Sequence, residues 1–380
     1  MMNLARLLIL ILFTLSLFSC VDKALRYYNL GVDAVEEGDI DGAIDYFHKS
    51  IDIRPDDPDV HVNVGVAYHS AGKYREALAH FKVAMTFYPN DATLRFNMAE
   101  TYAAMEAYQA ASREYEIAIR LKDEFYQALT AYGKLLLDSE KYDAAESYLV
   151  HAITVKPSHN PAYVYLGLLY ARTEKYHQAT YYLYRALKTN PASVDARLGL
   201  GYTFYRRRLY EDAIEQYERV YVKDQENVRA LLGLGLCYLA GGHNNQAENM
   251  FERALDVETI LPKAYKGLGD VYFNQKRYVA AIANYRMAIQ QREDFSDAYT
   301  SMGILYIATG QLEEARQAFD DALFSRPDDP WVLYHLGQLY IELDDSEQAR
   351  SYLEKSLQNS KSDPDLRTLV LKSLKSIKKR

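Results

Sequence analysis

The sequence predicts an all-α fold of the solenoid kind: ten helix pairs placed one after another, closed by a C-terminal capping helix. Three observations predict it. Set in rows of 34 from Ala24, the chain fills ten rows without insertion or deletion, ending at Asp363. The eighth column is glycine in nine of the ten rows, from Gly31 and Gly65 to Gly337 with Ala99 as the exception, and the twentieth is alanine in all ten, from Ala43 to Ala349. Apolar residues recur at helical spacing in two stretches per row, as in "AYVYLGLLYART" and "YHQATYYLYRALKTN" within residues 162–190.

Each row therefore reads as a first helix, a turn and a second helix. A glycine inside a helix costs roughly 0.5–1 kcal/mol relative to alanine. Paying it in register calls for a shared compensation, and close approach of the two helices supplies one. On this reading the glycine of the first helix faces the alanine of the second, and aromatic residues fill the space around the contact. The eleventh column is mostly tyrosine (Tyr68, Tyr102, Tyr170, Tyr238, Tyr272, Tyr306, Tyr340), and the twenty-fourth is always Phe, Tyr or Leu, as at Phe47, Phe81, Tyr217, Phe251 and Phe319.

Prolines at Pro55, Pro89, Pro157, Pro191 and Pro327 stand where second helices should stop. Where Asp123, Gln225, Thr259, Glu293 and Lys361 replace them, softer row boundaries are expected. Asp57-Pro58, Asp329-Pro330 and Asp363-Pro364 each read as an N-cap followed by a first-turn proline. Past the last row, residues 364–380 place Leu366, Leu369, Val370, Leu374 and Ile377 on one stripe with lysines elsewhere, which suits a solvating cap over the array.

Composition narrows the function. The formal net charge of −8 argues against general nucleic-acid binding, which needs a basic face. Tyrosine is abundant, 35 against 13 Phe and one Trp, which suits a large surface and a thin core, since the ring can be buried while the hydroxyl stays wet. Two cysteines, Cys20 and Cys237, offer no disulfide framework and no metal-ligand pair.

These columns resemble the tetratricopeptide (TPR) repeat, whose pattern is W-x2-L-G-x2-Y, then A-x3-F, then P. Row five shows it as Tyr163, Leu166, Gly167, Tyr170, Ala179, Leu183 and Pro191, and row two as Val64, Gly65, Tyr68, Ala77, Phe81 and Pro89. The resemblance spans residues 24–363. It implies a right-handed α-solenoid whose first helices line a concave face that holds a partner. On that face rows one to three are mixed (Tyr28, Val32, Val62, Val66, Phe96, Glu100), whereas rows five to eight are greasier: Val164, Leu168, Leu198, Tyr202, Tyr205, Leu232, Leu236, Leu239 and Phe273, bordered by Arg172, Arg206 and Arg229. Such a groove suits a protein or peptide with an apolar face and an acidic group. The alternatives are packing within the array, contact with a second copy, and capture of a small hydrophobic ligand for a transporter. The dicarboxylate clamp of chaperone-binding members is not expected. Asn29, Asn63 and Asn97 occupy a typical asparagine column, but the lysines beside them are missing, and Lys266 is spaced to pair with Asp270.

The chain starts differently. Leu7–Phe18 is an apolar run behind Arg6, too short to span ~30 Å of hydrocarbon comfortably, and reads as a signal peptide over residues 1–19. Its end, Leu17-Phe18-Ser19-Cys20, resembles the lipobox of bacterial lipoproteins, in which cleavage precedes a lipidated cysteine; Phe18 is bulkier than that motif usually takes, and an uncleaved anchor or an ordinary secreted protein are the alternatives. Residues 20–23 would be a tether whose three links reach roughly 10 Å, setting the first repeat close to a membrane of the bacterial envelope.

No catalytic motif is present: no P-loop, no HExxH, no nucleophile elbow. The pairs Gly199/Gly201, Gly233/Gly235 and Gly267/Gly269 sit inside helices, and the repeat accounts for the second member of each. His61, His69 and His80 share a row but are expected on different faces, as packing or surface residues. Cys237, in "ALLGLGLCYLA", reads as a small core residue. No cofactor or metal is expected. The expectation is a non-enzymatic, membrane-tethered scaffold.

Overall fold

The computed structural model describes residues 23–360 and 363–377, all helices and turns with no strand among them. They form two compact units, dividing between Ala192 and Ser193. The apolar run 7–18, Cys20 and the tether call lie outside the described residues, save for Lys23. Among the described residues no helix is long and apolar enough to cross a membrane.

The first unit holds five helix pairs: α1 (residues 23–37) with α2 (Ile40–Ile51), α3 (Pro58–Ser70) with α4 (Tyr74–Phe87), α5 (Ala92–Ala104) with α6 (Tyr108–Leu121), α7 (Tyr126–Asp138) with α8 (Tyr142–Val155), and α9 (Asn160–Arg172) with α10 (Tyr176–Thr189). The second holds five more and a final helix: α11 (Val194–Arg206) with α12 (Tyr210–Tyr221), α13 (Val228–Ala240) with α14 (Asn244–Val257), α15 (Pro262–Asn274) with α16 (Tyr278–Gln291), α17 (Ser296–Ala308) with α18 (Leu312–Ser325), α19 (Pro330–Glu342) with α20 (Ser346–Asn359), and α21 (Pro364–Ile377). These are the ten rows, each a helix pair.

Neither unit has a central core. Within each unit a second helix packs on the first helix of its own row and on the first helix that follows it in that unit, so the buried layer is handed along the unit. In the first unit Ala43, Ile44 and Phe47 of α2 pack with Val60, Val64 and Ala67 of α3. In the second, Ala247 and Phe251 of α14 pack with Ala264, Leu268 and Val271 of α15. Within each unit the backbones of successive first helices also approach one another closely, whereas those of successive second helices do not. Helices of one thickness packed closer on one side than the other make each unit curve, with its first helices on the inner side. The last helix is the expected cap: Leu366, Val370 and Ile377 are buried against Ala349 and Leu353 with Leu374 beside them, while Leu369 faces outward.

The glycine column works differently from the expectation. What faces it is not the alanine but the Phe, Tyr or Leu of column twenty-four. A β-carbon on Gly235 would stand 2.6 Å from Cε1 of Phe251, and one on Gly167 2.4 Å from Cγ of Leu183, with the Ala179 carbonyl next at 3.3 Å. Real β-carbons do not come so close to carbon, so the missing methyl is the seat of the ring. The first members of two Gly-x-Gly pairs are also explained: Gly233 meets the far side of Tyr217 and Gly267 the far side of Phe251. Each of those rings lies between a glycine of its own repeat and a glycine of the next.

Caps behave as expected. The carboxylates of Asp57, Asp329 and Asp363 accept from backbone N–H groups of Val60, Val332 and Leu366 respectively. Proline is not needed to end the second helices. α6, α14 and α16 stop two residues before Asp123, Thr259 and Glu293, as α4 and α8 stop two residues before Pro89 and Pro157. What sets the turn between paired helices is one residue with positive φ in every row. It is glycine at four positions, among them Gly72 and Gly242, and non-glycine at six, among them Glu140 and Lys276, with φ between 56° and 61°.

Candidate functional site

The inner faces are the candidate interaction surfaces, and the structure sorts the groove residues expected on them. In the first unit, Val164 is 3% exposed and belongs to the packed layer, Leu168 is partly buried, and Arg172 is exposed. Arg172 donates from Nη1 to the Leu137 carbonyl at 3.1 Å and lies 3.6 Å from Asp138, tying α9 back to α7. In the second unit Leu198 is 4% exposed and also belongs to the layer. Leu232, Leu236 and Leu239 of α13 pack against a cluster formed by Phe251 of their own repeat and Leu268 and Val271 of the next, and Phe273 packs against Tyr278 and the cluster around Phe319. Arg206 donates to the Tyr202 hydroxyl at 2.8 Å, and Arg229 pairs with Asp195 at 2.6 Å. Tyr205 is partly buried, with its hydroxyl pushed up in pKa chiefly by burial. Of the groove residues, Val164 and Leu198 thus belong to the packed layer, while the others keep part of their surface exposed.

An inner-face hollow lies earlier in the chain. A space of about 410 Å³ is walled by α5, α7 and the start of α9. Its walls carry the small residues Ala103 and Ala131 and the apolar Leu135, with Glu100 and Lys134 as its charges and Tyr165 and His159 at its sides. Side-chain-sized hollows of several hundred Å³ with a few converging polar groups are the usual form of a binding pocket. Sequence reasoning missed it because it sought large apolar residues. Here the signal is the reverse, alanines on adjacent first helices leaving a gap between larger neighbours.

The charges of the hollow are each held by a hydrogen bond. Tyr115, on the second helix α6 and only 2% exposed, passes between first helices and donates its hydroxyl to Glu100. Burial first, then the Glu100 charge, pushes the Tyr115 pKa far up, so it remains a donor. Lys134 donates to Asp138 at 2.8 Å, which raises its pKa and keeps it charged. His159 is held neutral, its pKa lowered by burial and then by Lys156, and its ring meets Tyr126 edge-on at 4.8 Å. The hollow thus presents one anchored carboxylate and one anchored ammonium against an apolar floor.

The same reach-through recurs in the second unit. Tyr285 donates to Asp270 at 2.9 Å, and Lys266 donates to the other oxygen of Asp270 at 2.7 Å, the lysine pairing expected from the sequence. The Tyr115–Glu100 and Tyr285–Asp270 contacts each join column twenty-four to column nine of one repeat. Where column twenty-four is Tyr115, Tyr217 or Tyr285, column nine is polar (Glu100, Tyr202, Asp270); where it is Phe47, Phe81, Phe251 or Phe319, column nine is Val32, Val66, Leu236 or Ile304. Inner-face chemistry is matched to the ring behind it.

The three histidines singled out in the sequence and the buried thiol lie apart from the hollow. His61 and His80, expected apart, approach to 2.9 Å between ring nitrogens, while His69 turns away to Thr101. Cys237 is fully buried, with its thiol pushed up to about 12 by burial, and is a core residue. Among the described residues no group of three or more His, Cys, Asp or Glu is placed to hold a metal ion.

Comparison with known proteins bears on this arrangement. Tetratricopeptide repeat models match residues 28–92, 130–194 and 164–227, then 207–257, 272–330 and 332–363. No curated protein matches the sequence. Among solved structures, a tetratricopeptide repeat protein from Parabacteroides merdae aligns with a TM-score of 0.55 at 17% identity, over 66% of this chain and 98% of that one. Yeast Tom70 aligns with a TM-score of 0.53 at 15% identity, over 93% and 95%. A monomeric mutant of IFIT1 with m7Gppp-AAAA aligns with a TM-score of 0.61 at 16% identity, over 84% and 82%. Identities this low speak for the fold alone. The rows of 34, the paired helices and the matched models together place the chain in the tetratricopeptide repeat family, as an α-solenoid of the kind that serves as a protein-interaction scaffold.

Proposed function

We propose that the chain is a non-enzymatic scaffold that seats a side chain and adjoining backbone of a protein partner in the hollow between α5, α7 and α9, and that it is held at a membrane of the bacterial envelope by a lipid on Cys20. The observation that carries the first part is the hollow itself: about 410 Å³, with Glu100 and Lys134 held in place by Tyr115 and Asp138. Preset charges of opposite sign favour a segment offering both a donor and an acceptor, such as a peptide, over a purely apolar ligand. The anchor rests on the lipobox-like Leu17-Phe18-Ser19-Cys20.

Crosslinking and capture from cells tests both parts. Ala131→Phe fills the hollow and should reduce captured partner roughly tenfold while the protein still fractionates with membranes. Cys20→Ala should do the opposite, releasing the protein from membranes and abolishing lipid label. Undiminished capture by Ala131→Phe would refute the hollow as the seat, and unchanged membrane fractionation of Cys20→Ala would refute the anchor.

A further inference from the structure

His48, His61 and His80 come from three helices, α2, α3 and α4, and meet where the first repeat packs on the second. Ring centroids are 5.1 Å apart for His61 and His80 and 5.7 Å for His48 and His80, and Tyr68 stacks on His80 at 5.5 Å. Hydrogen bonds decide where the protons sit. Nε2 of His61 lies 2.9 Å from the Pro55 carbonyl oxygen. A carbonyl only accepts, so that nitrogen carries its hydrogen, and in the neutral ring Nδ1 is a lone pair. That lone pair faces Nδ1 of His80 at 2.9 Å, so His80 donates from Nδ1. Nε2 of His48 closes the cluster on the Tyr68 hydroxyl at 2.7 Å.

The arrangement is satisfied with all three rings neutral. One added proton places a charge beside His61, which is only 6% exposed. A second sets two N–H groups against each other across 2.9 Å. The surrounding charges do little to offset this. Asp45 on α2 and Glu76 on α4 act on Tyr68, while Lys73 lies 5.9 Å from the Tyr68 ring and 3.8 Å from Asp41. Among the described residues no carboxylate is within ion-pair distance of any of the three imidazoles.

We propose that this cluster is an acid-sensitive joint: the uncharged His80 ring lets α2, α3 and α4 meet, and its protonation opens repeats one and two while the repeats that follow stay folded. Burial, then the charges of His61 and His48, lowers the pKa of His80 to about 4. The unfolded chain takes up that proton near pH 6.5, so it binds more protons than the folded joint below this value. Stability of the joint is whole above about pH 6.5 and is lost as pH falls toward 4. The next repeats make an internal control, since residues 92–138 contain no histidine.

Hydrogen exchange on the full chain tests this, read as protection factors for α1–α2 and for α5–α7 at about pH 7 and about pH 4.5. The expected result is a roughly tenfold or greater acid loss of protection in α1–α2, with less than about a twofold loss in α5–α7. His80→Phe keeps a ring on Tyr68 and removes the proton site, and should cut the acid loss in α1–α2 to a few-fold. Histidine-ring NMR of the unaltered chain gives a second reading that does not depend on a variant folding: His61 should be the Nε2–H tautomer, and His80 should titrate well below 6.5. Equal acid loss in both segments, undiminished loss in His80→Phe, or a His80 midpoint near 6.5 would each overturn the proposal.

Discussion

Gly267 lies flat against the ring of Phe251: a β-carbon on the glycine would stand 2.4 Å from Cζ of the ring. The ring belongs to repeat seven and the glycine to repeat eight, so this contact is part of what joins the two. Gly267→Ala should destabilise the second unit by roughly 1–3 kcal/mol, the usual range for forcing an extra methyl into a packed layer. Phe251→Leu in the same chain should recover part of that loss, giving a coupling of at least about 0.5 kcal/mol in urea titrations. Strictly additive effects would show that the two residues do not share the space.

Gly242 has a different reason to be glycine. No atom lies within 4 Å of the place a β-carbon would take, and the residue sits at φ +78° in the turn between α13 and α14. Gly242→Ala should therefore cost only about 1 kcal/mol, through the backbone alone, and no partner substitution should rescue it. At the same column Glu140 holds φ 58° as a non-glycine residue, so Glu140→Gly should be neutral or slightly stabilising. A large loss on Glu140→Gly, measured by thermal melting, would mean that its side chain and not its backbone matters.

The repeat was legible because its columns answer to constraints local to one row. The ring seat demands glycine at Gly235, and the Asp57, Asp329 and Asp363 caps demand aspartate before proline. These signals lie within or beside one helix pair. The histidine joint was illegible for the converse reason: His61 is on the first helix of its row, His80 on the second, and His48 on the second helix of the row before. Row-by-row periodicity assigns a face to each helix but does not superpose faces from successive rows. The hollow was missed on similar grounds, since Ala103 and Ala131 look unremarkable until α5 and α7 stand side by side. The proline column misled for another reason: the second helices end where their last turn meets the next repeat, as α16 does before Glu293, with or without proline.

Tyr285 offers a test of the reach-through pairing. Its hydroxyl donates to Asp270, which Lys266 also holds. Tyr285→Phe removes one charge-assisted hydrogen bond and should cost about 1.5–3 kcal/mol. In an Asp270→Leu background the same change should cost almost nothing, because no acceptor remains. An equal cost in both backgrounds, measured by denaturant unfolding, would assign the tyrosine's role to packing alone.

His335 makes a pH prediction that the single tryptophan can report. Its ring stacks on Phe319 with an interplanar angle of 6°, and burial lowers its pKa to about 4, opposed only by the Asp329 charge. The folded protein holds this imidazole neutral while the unfolded chain protonates it near 6.5, so stability is complete above about pH 6.5 and declines as pH falls toward 4. The full shift would correspond to about 3 kcal/mol; with the ring partly open to solvent, on the order of 2 kcal/mol is the better expectation. Trp331 lies 6.3 Å from His335, and its fluorescence should change with a midpoint near 4 as the imidazole charges. His335→Phe keeps an aromatic ring over Phe319 and should abolish both that fluorescence step and the His335 share of the acid destabilisation. A fluorescence midpoint near 6.5 in the unaltered chain would show that the ring is not held from water as its stacking on Phe319 implies.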